Sequence, residues 1–306
     1  MTILNEEVPH IRCSIIIVNW RSIEYLIECI GSIHNHTKAR HEIIVVDNDS
    51  SVEEKEKLQT LKNINLILNS KNIGFAAANN MGIRIAQGEY IFLLNPDTKL
   101  ENDAIDLMAD FLDQNPNVSA VGPKLFFSNK GQYHPSVKSL DSPLYNLFFL
   151  LPGSLIFKNA YQFFLSKQRR PKVVQCLIGA AVLFRRTVFD RIDIFDEVFF
   201  IYSEEVDLFM RMKKAGLITM YLPFARVIHY GGKSQEKASV TKLEYLWSSK
   251  INYFYKHFGR TNCSVHLWLI WALLHIKIFM LGKRNLLPVC NIIWNRVKAD
   301  LVDTES

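Results

Sequence analysis

The first hundred residues alternate short β-branched apolar runs with stretches of helical periodicity, and this alternation restricts the chain to few folds. Ser14-Ile-Ile-Ile-Val-Asn19 is apolar on both faces, as expected of a parallel strand covered by helices on either side. Residues 22–35 follow with Leu26, Ile27, Ile30 and Ile33 on one face and Ser22 placed as the N-cap. Glu42-Ile-Ile-Val-Val46, Ile64–Asn69 and Tyr90-Ile-Phe-Leu-Leu94 predict three further strands, with helices over Val52–Lys62 and Ala76–Gln87 between them. Such an order builds a mostly parallel sheet through right-handed crossovers, and these sheets bind ligands beyond the carboxyl ends of their strands. Asp47 and Asp97 each follow an apolar strand, so both are expected at that edge.

With 306 residues, 49% hydrophobic and 22% charged, the chain can bury one catalytic domain and still carry an accessory segment; it does not have the composition of a disordered chain. The net charge of +6 gathers in Lys167-Gln-Arg-Arg-Pro-Lys172, Arg211-Met-Lys-Lys214 and Lys283-Arg284, which suit phosphates, an anionic membrane leaflet or plain solvation. Cys13, Cys29, Cys176, Cys263 and Cys290 are widely spaced with no CxxC pair, and Met1 to Pro9 lack the basic start and apolar run of a secretory signal. A reduced, cytoplasmic setting is the expectation. Two later segments are strongly apolar. Residues 144–165, broken by Pro152 and Gly153, read either as a buried helix pair or as a flap touching lipid or acceptor. Residues 265–281 carry His266, His275 and Lys277, and fit a helix lying in a membrane interface better than one spanning it.

Several clusters carry candidate chemistry. Asn95-Pro-Asp-Thr98 sits directly after an apolar strand, where Asp97 could hold a hard divalent cation whose other positions phosphate and water fill; the plain alternative is a turn. Asp47 could accept a hydrogen bond from a pyrimidine ring or serve as a helix cap. In Asn72-Ile-Gly-Phe-Ala-Ala-Ala-Asn-Asn80, small residues at a helix start permit either close approach to a diphosphate or tight helix packing. Glu204, Glu205 and Asp207 crowd another helix start behind an aromatic segment, a setting that caps a helix and can raise a carboxylate's basicity toward that of a general base. His229, before two glycines, is either structural or a partner of Asp97 at a metal.

In order along residues 11–260, Ser14-Ile-Ile-Ile-Val-Asn-Trp20, Val46-Asp-Asn-Asp-Ser50, Asn72–Asn80, Leu94-Asn-Pro-Asp97, Gly179-Ala-Ala-Val-Leu-Phe-Arg-Arg186, Phe195-Asp-Glu, Glu204-Glu-Val-Asp-Leu208 and His229 resemble the inverting glycosyltransferases of family 2, most closely their rhamnosyltransferase-like branch. The resemblance implies an α/β GT-A catalytic domain over residues 1–260, with a nucleotide-binding half at about 11–100 and an acceptor half at about 101–260; the apolar run at 265–281 makes 261–306 the expected membrane-associating helical tail. The resemblance also implies that Asp47 contacts the pyrimidine, with Asn19, Asn72, Gly74, Asn79, Asn95 and Arg211 around the donor. Asp97 and His229 would hold Mg2+ or Mn2+, and Glu205 would be the base, with Glu204 and Asp207 as its alternatives. The implied reaction is a single in-line displacement at C1 that inverts the anomeric carbon. It needs one carboxylate base, where glycoside hydrolases use two. The resemblance implies a dTDP- or UDP-sugar donor, while the apolar tail and the basic clusters point to a polyprenyl-linked saccharide acceptor at the inner membrane face, with no nucleic acid. A nucleotidyltransferase shares the α/β sheet and metal-bound carboxylates but usually has an N-terminal glycine-rich, basic loop, which is not evident here. A noncatalytic nucleotide-sugar-binding protein would keep the fold without turnover, and the retained acids weigh against that.

Overall fold

The computed structural model describes residues 10–127, 131–142, 154–231, 239–281 and 287–302. The amino-terminal segment read for an export signal, residues 144–153 of the aromatic stretch, Gly232 and Lys283-Arg284 lie outside the described residues. The first half runs β1 (Cys13–Asn19), α1 (Ile23–His36), β2 (His41–Asn48), α2 (Val52–Thr60), β3 (Asn65–Asn69), α3 (Phe75–Ile85), β4 (Tyr90–Leu94), β5 (Thr98–Leu100), α4 (Ala104–Gln114) and β6 (Val118–Phe126). The second runs β7 (Tyr133–His134), β8 (Val137–Lys138), α5 (Leu155–Ser166), β9 (Lys172–Val174), β10 (Cys176–Leu177), β11 (Ala181–Arg185), α6 (Thr187–Ile192), α7 (Glu204–Lys214), β12 (Ile218–His229), α8 (Ser239–Phe258), α9 (Arg260–Leu281) and α10 (Leu287–Val302).

The strands order as β3-β2-β1-β4-β11-β6-β12-β5. The first four are mutually parallel, as the strand-helix alternation predicts. Beyond them β11 inserts antiparallel to both neighbours, β12 runs parallel to β6, and β5 returns antiparallel to β12. Both faces are covered. Ile16, Val18, Ile44, Val46, Ile91 and Leu93 pack toward α3 and α7, while Ile15, Ile17, Ile43, Val45, Phe92 and Leu94 pack toward α1 and α4. This two-sided burial is why the runs are continuously apolar and not alternating. On α3 the small residues serve packing: a side chain at Gly82 would bring its Cβ within 2.5 Å of Ile16 Cγ2 on β1.

Two local expectations are corrected. Ser22 stands at the N-cap of α1 as expected, but its side chain makes no cap bond: the hydroxyl donates to Asn19 Oδ1, and it is Ser51 that forms a capping box, with Glu54, at the start of α2. Ile27 is exposed, and Cys29 joins Leu26, Ile30 and Ile33 on the buried face of α1 instead. None of the five cysteines forms a disulfide, and all are buried. At the carboxyl end, α8, α9 and α10 close on a separate apolar cluster of Ile251, Leu267, Ile270, Leu274, Val289, Cys290 and Ile293. No helix among the described residues is long and apolar enough to cross a membrane.

Candidate active site

Because β1 and β2 are parallel and in register at Asn19 and Asp47, both side chains arrive at the same sheet edge. Asn19 Nδ2 donates to Asp47 Oδ1 at 3.0 Å, and the Ser50 amide donates to Asp47 Oδ2 at 3.1 Å. Asp47 is fully buried and fixes the turn after β2, where Asp49 takes a positive φ of 75°. Each of its oxygens keeps a second acceptor position by the ordinary stereochemistry of a carboxylate.

The Asn72–Asn80 segment is held by asparagine side chains. Asn48 Nδ2 donates to Asn72 Oδ1 at 2.8 Å and to the Gly74 carbonyl at 3.2 Å, and the Ile73 amide donates to Asn48 Oδ1 at 3.0 Å. Gly74 has a φ of 92°, and a Cβ there would sit 2.6 Å from the Phe200 carbonyl oxygen. That carbonyl accepts from the Phe75 amide at 2.6 Å, so the first amide of α3 is occupied by protein. Asn79 Nδ2 donates to the Phe75 carbonyl within its own helix. Its neighbour Asn80 reaches across the fold, donating to the Phe195 carbonyl and Glu197 Oε1 and accepting from the Phe195 amide. Asn80 thus ties α3 to the segment that leads into α7.

Asn95-Pro96-Asp97 forms the turn between β4 and β5, as its place after the strand predicts. Since β5 pairs with the end of β12, His229 is carried beside it: His229 Nε2 lies 3.3 Å from Asp97 Oδ1, and both side chains are at least nine-tenths buried. Asn95 Oδ1 and His229 Nδ1 are buried without a hydrogen-bond partner among the described residues. Sequence reasoning missed His134, whose ring packs 4.8 Å from that of His229 and whose Nδ1 donates to the Pro135 carbonyl at 2.7 Å. Burial, aided by the nearby His229, pushes His134 down to about 4, so it stays neutral.

The acids of α7 separate into distinct environments. Asp207 is fully buried with both oxygens engaged: His257 Nε2 and Lys256 Nζ each lie 2.8 Å from Oδ1, and Arg211 Nε lies 2.9 Å from Oδ2. Arg211 also donates to the carbonyls of Ile192, Asp193 and Ile194, so its guanidinium braces the end of α6 and does not face the sheet edge. Glu205 is bonded to Lys138 of β8, a partner the sequence did not signal, while its Oε2 is buried with no hydrogen-bond partner among the described residues. Glu204 Oε2 is likewise buried and unpartnered. Burial, reinforced by the charge of Glu205, raises the Glu204 carboxyl well above its usual range.

A carboxyl raised by folding contributes stability that is whole below the ordinary carboxylate range and lost as pH climbs toward its folded-state value. Glu204→Gln removes that titration. Its melting temperature should therefore exceed that of the native chain near pH 8 and converge with it near pH 5, the gap opening at about 1.4 kcal/mol per pH unit within that window. Thermal melts across the range check this; a gap independent of pH would refute it.

These groups share one edge of the sheet. The Asn95 amide donates to the Ala180 carbonyl at 2.9 Å, and a Cβ on neighbouring Gly179 would meet Glu205 Cβ at 3.4 Å. The Asn-Pro-Asp turn, the start of β11 and the head of α7 therefore adjoin in sequence of contact. Asp97 and His229 suit a hard divalent ion: one carboxylate and one imidazole, spaced as neighbouring ligands, beside the orphaned Asn95 Oδ1. Among the described residues no group of three or more His, Cys, Asp or Glu could hold a metal.

The chain is 27% identical over 239 residues to N-acetylglucosaminyl-diphospho-decaprenol L-rhamnosyltransferase of Mycobacterium tuberculosis, covering 72% of this chain and 76% of that one. It is 25% identical over 255 residues to the rhamnosyltransferase WbbL of Escherichia coli, covering 79% of this chain and 91% of that one. A dTDP-rhamnosyl transferase, RfbF of Shigella flexneri, is 24% identical over 198 residues, or 64% of this chain and 62% of that one. The fold is shared with the crystal structure of GalNAc-T7 with UDP, GalNAc and Mn2+, at a TM-score of 0.57 and 13% identity, over 81% of this chain and 50% of that chain. The model of glycosyl transferase family 2 matches residues 14–193, more than half of the chain, and the protein belongs to that family.

Proposed function

We propose that the protein transfers rhamnose, with inversion, from dTDP-rhamnose to a lipid-linked saccharide in the building of a bacterial surface polysaccharide. UDP-sugars are the alternative donors. The observation that carries this reading is the adjoining of Asp97, His229, Asn95 and Glu205 at the carboxyl edge of the sheet, on a chain whose relatives are named for rhamnosyl transfer. In this scheme Asn19 and Asp47 border the pyrimidine, and the turn fixed by Asn48, Asn72 and Gly74 shapes the donor pocket. Glu205 Oε2 takes the proton of the acceptor hydroxyl while Lys138 holds the other oxygen. Mg2+ or Mn2+, held by Asp97 and His229, would offset the charge gathering on the departing diphosphate.

We assign catalysis to residues 1–260 and membrane association to 261–306. Val265, Trp268, Leu269, Ile276 and Phe279 of α9 are exposed and recur at helical spacing, which suits a helix lying on the cytoplasmic face of the membrane. The reading is tested by nucleoside diphosphate release from a panel of dTDP- and UDP-sugars, with and without Mn2+, in the presence of membrane lipid extract. Release of pyrophosphate in its place would point to nucleotidyl transfer. Asp97→Ala is expected to weaken donor binding by roughly tenfold or more in Mn2+ and to leave the metal-free affinity unchanged. Equal loss with and without metal, in nucleotide titrations followed by calorimetry, would remove Asp97 from the metal.

A further inference from the structure

Helix α5 is fastened to the domain along one side and leaves the other in solvent. Gln162 accepts from Tyr133 Oη at 3.3 Å and donates to the Val137 carbonyl at 3.0 Å, while Leu165 is fully buried. On the outer side Ile156, Phe157 and Phe163 are 70%, 66% and 67% exposed, and Phe164 is nearly half exposed. Isolated apolar side chains on a surface are ordinary; four large ones on a single short helix mark a contact surface.

The strap that follows supplies the charge. Lys167 Nζ lies 5.5 Å from the centre of the Phe163 ring and Lys172 Nζ 4.1 Å from that of Phe164, with Arg169 and Arg170 exposed between them. No acidic side chain pairs with these four among the described residues. Lys124 joins them, donating to the Ser166 carbonyl at 2.7 Å; burial and the charges of Arg226 and Lys167 hold it below its usual lysine value. Apolar rings rimmed by unpaired cations match a bilayer with anionic headgroups, where the rings enter the acyl boundary and the cations meet the phosphates. A second copy seated on this face about a two-fold axis would set Lys167, Arg169, Arg170 and Lys172 against themselves. A water-soluble polyanion would leave the rings in water.

We propose that α5 and the strap at 167–172 form a docking surface for a membrane containing anionic lipid. The surface is wired to the catalytic edge by one segment: Tyr133 and Val137, which hold Gln162, alternate with His134, packed on His229, and Lys138, bonded to Glu205. Docking there brings the acceptor side of the site to the bilayer, and that consequence rests on the lipid-linked acceptor proposed above. The docking itself does not.

The test is flotation of the full chain with phosphatidylcholine vesicles lacking or containing phosphatidylglycerol, at low and high salt. The native chain should float with the anionic vesicles and less so at high salt. Phe157→Ser with Phe163→Ser, and separately Arg169→Gln with Arg170→Gln, should each cut binding at least tenfold without lowering the melting temperature, since all four side chains are exposed. Trp268→Ser with Phe279→Ser on α9 is the comparator. Native-like flotation of the α5 variants, loss confined to the α9 variant, or no binding of the native chain would each overturn the proposal. So would self-association abolished by the Phe157 and Phe163 changes without any vesicle binding. Diphosphate release with a water-soluble acceptor reports on the transferase reading separately: its failure with intact flotation would sink that reading and leave docking standing.

Discussion

Glu205→Gln is expected to lower turnover about 10²- to 10⁴-fold, the usual contribution of a general base, while donor affinity stays within about twofold of the native value. The geometry separates Glu205 from its neighbours. One of its oxygens is fixed by Lys138, and the other is buried with no hydrogen-bond partner among the described residues, as a base awaiting a hydroxyl should be. Its Cβ abuts Gly179, one residue from the carbonyl that anchors Asn95, so the acid is tied to the Asn-Pro-Asp turn through two contacts. Glu204 is more deeply buried and its raised carboxyl favours the protonated form near neutrality, which suits a neighbour that keeps negative charge from accumulating better than it suits a base. The measurement is single-turnover transfer with saturating donor, alongside nucleotide titration. If Glu205→Gln turned over within about tenfold of the native chain while Glu204→Gln lost the larger factor, the base would be Glu204.

The parallel half of the fold was legible because its strands are buried on both faces: Ile15 to Val18 and Ile43 to Val46 have no polar residue to obscure the run. Tyr90–Leu94 appears as expected to the residue, and Asp47 and Asp97 stand at the strand ends where ligands of such sheets gather. The residues themselves offered the pairing of Asp97 with His229 only as one of two alternatives. It depends on β5 folding back against β12, a contact across 131 residues that no local period announces. Lys138 and His134 were missed for a related reason. They lie on strands of two residues each, too short for periodicity to register, although His134, Ser136 and Lys138 do alternate with Tyr133, Pro135 and Val137. The antiparallel placement of β11 was equally hidden, because an apolar run is the same read in either direction. Arg211 shows the opposite limit: a cation near an acidic motif reads as a phosphate ligand until the fold turns it onto Asp207 and three carbonyls.

Asp207, buried and ion-paired, is expected to hold the molecule together and not to react. Burial alone would raise its carboxyl, yet the hydrogen bonds from His257 and Lys256 and the charge of Arg211 bring it down to about 2. A carboxylate depressed by folding contributes stability that is complete above its ordinary value and lost as pH falls through the folded-state one, so this contribution survives to about pH 4 and fades toward pH 2. Lys256 also pairs with Asp196 at 2.6 Å, so the cluster clamps α8 to α7 and to the loop that Asn80 holds. Asp207→Ala leaves Arg211, Lys256 and His257 without their shared counter-charge in a nearly dry setting. Breaking a buried pair in this way typically costs about 3–5 kcal/mol, which in a chain of this size lowers the melting temperature by roughly 5–8 °C. The conservative Asp207→Asn should lose somewhat less, because an amide oxygen still accepts from one cation. In both variants, at a temperature where the protein remains folded, transfer per folded molecule should fall far less than in Glu205→Gln. The reverse pattern, an unchanged melting temperature with turnover abolished in Asp207→Asn, would make Asp207 the reacting acid and Glu205 its neighbour.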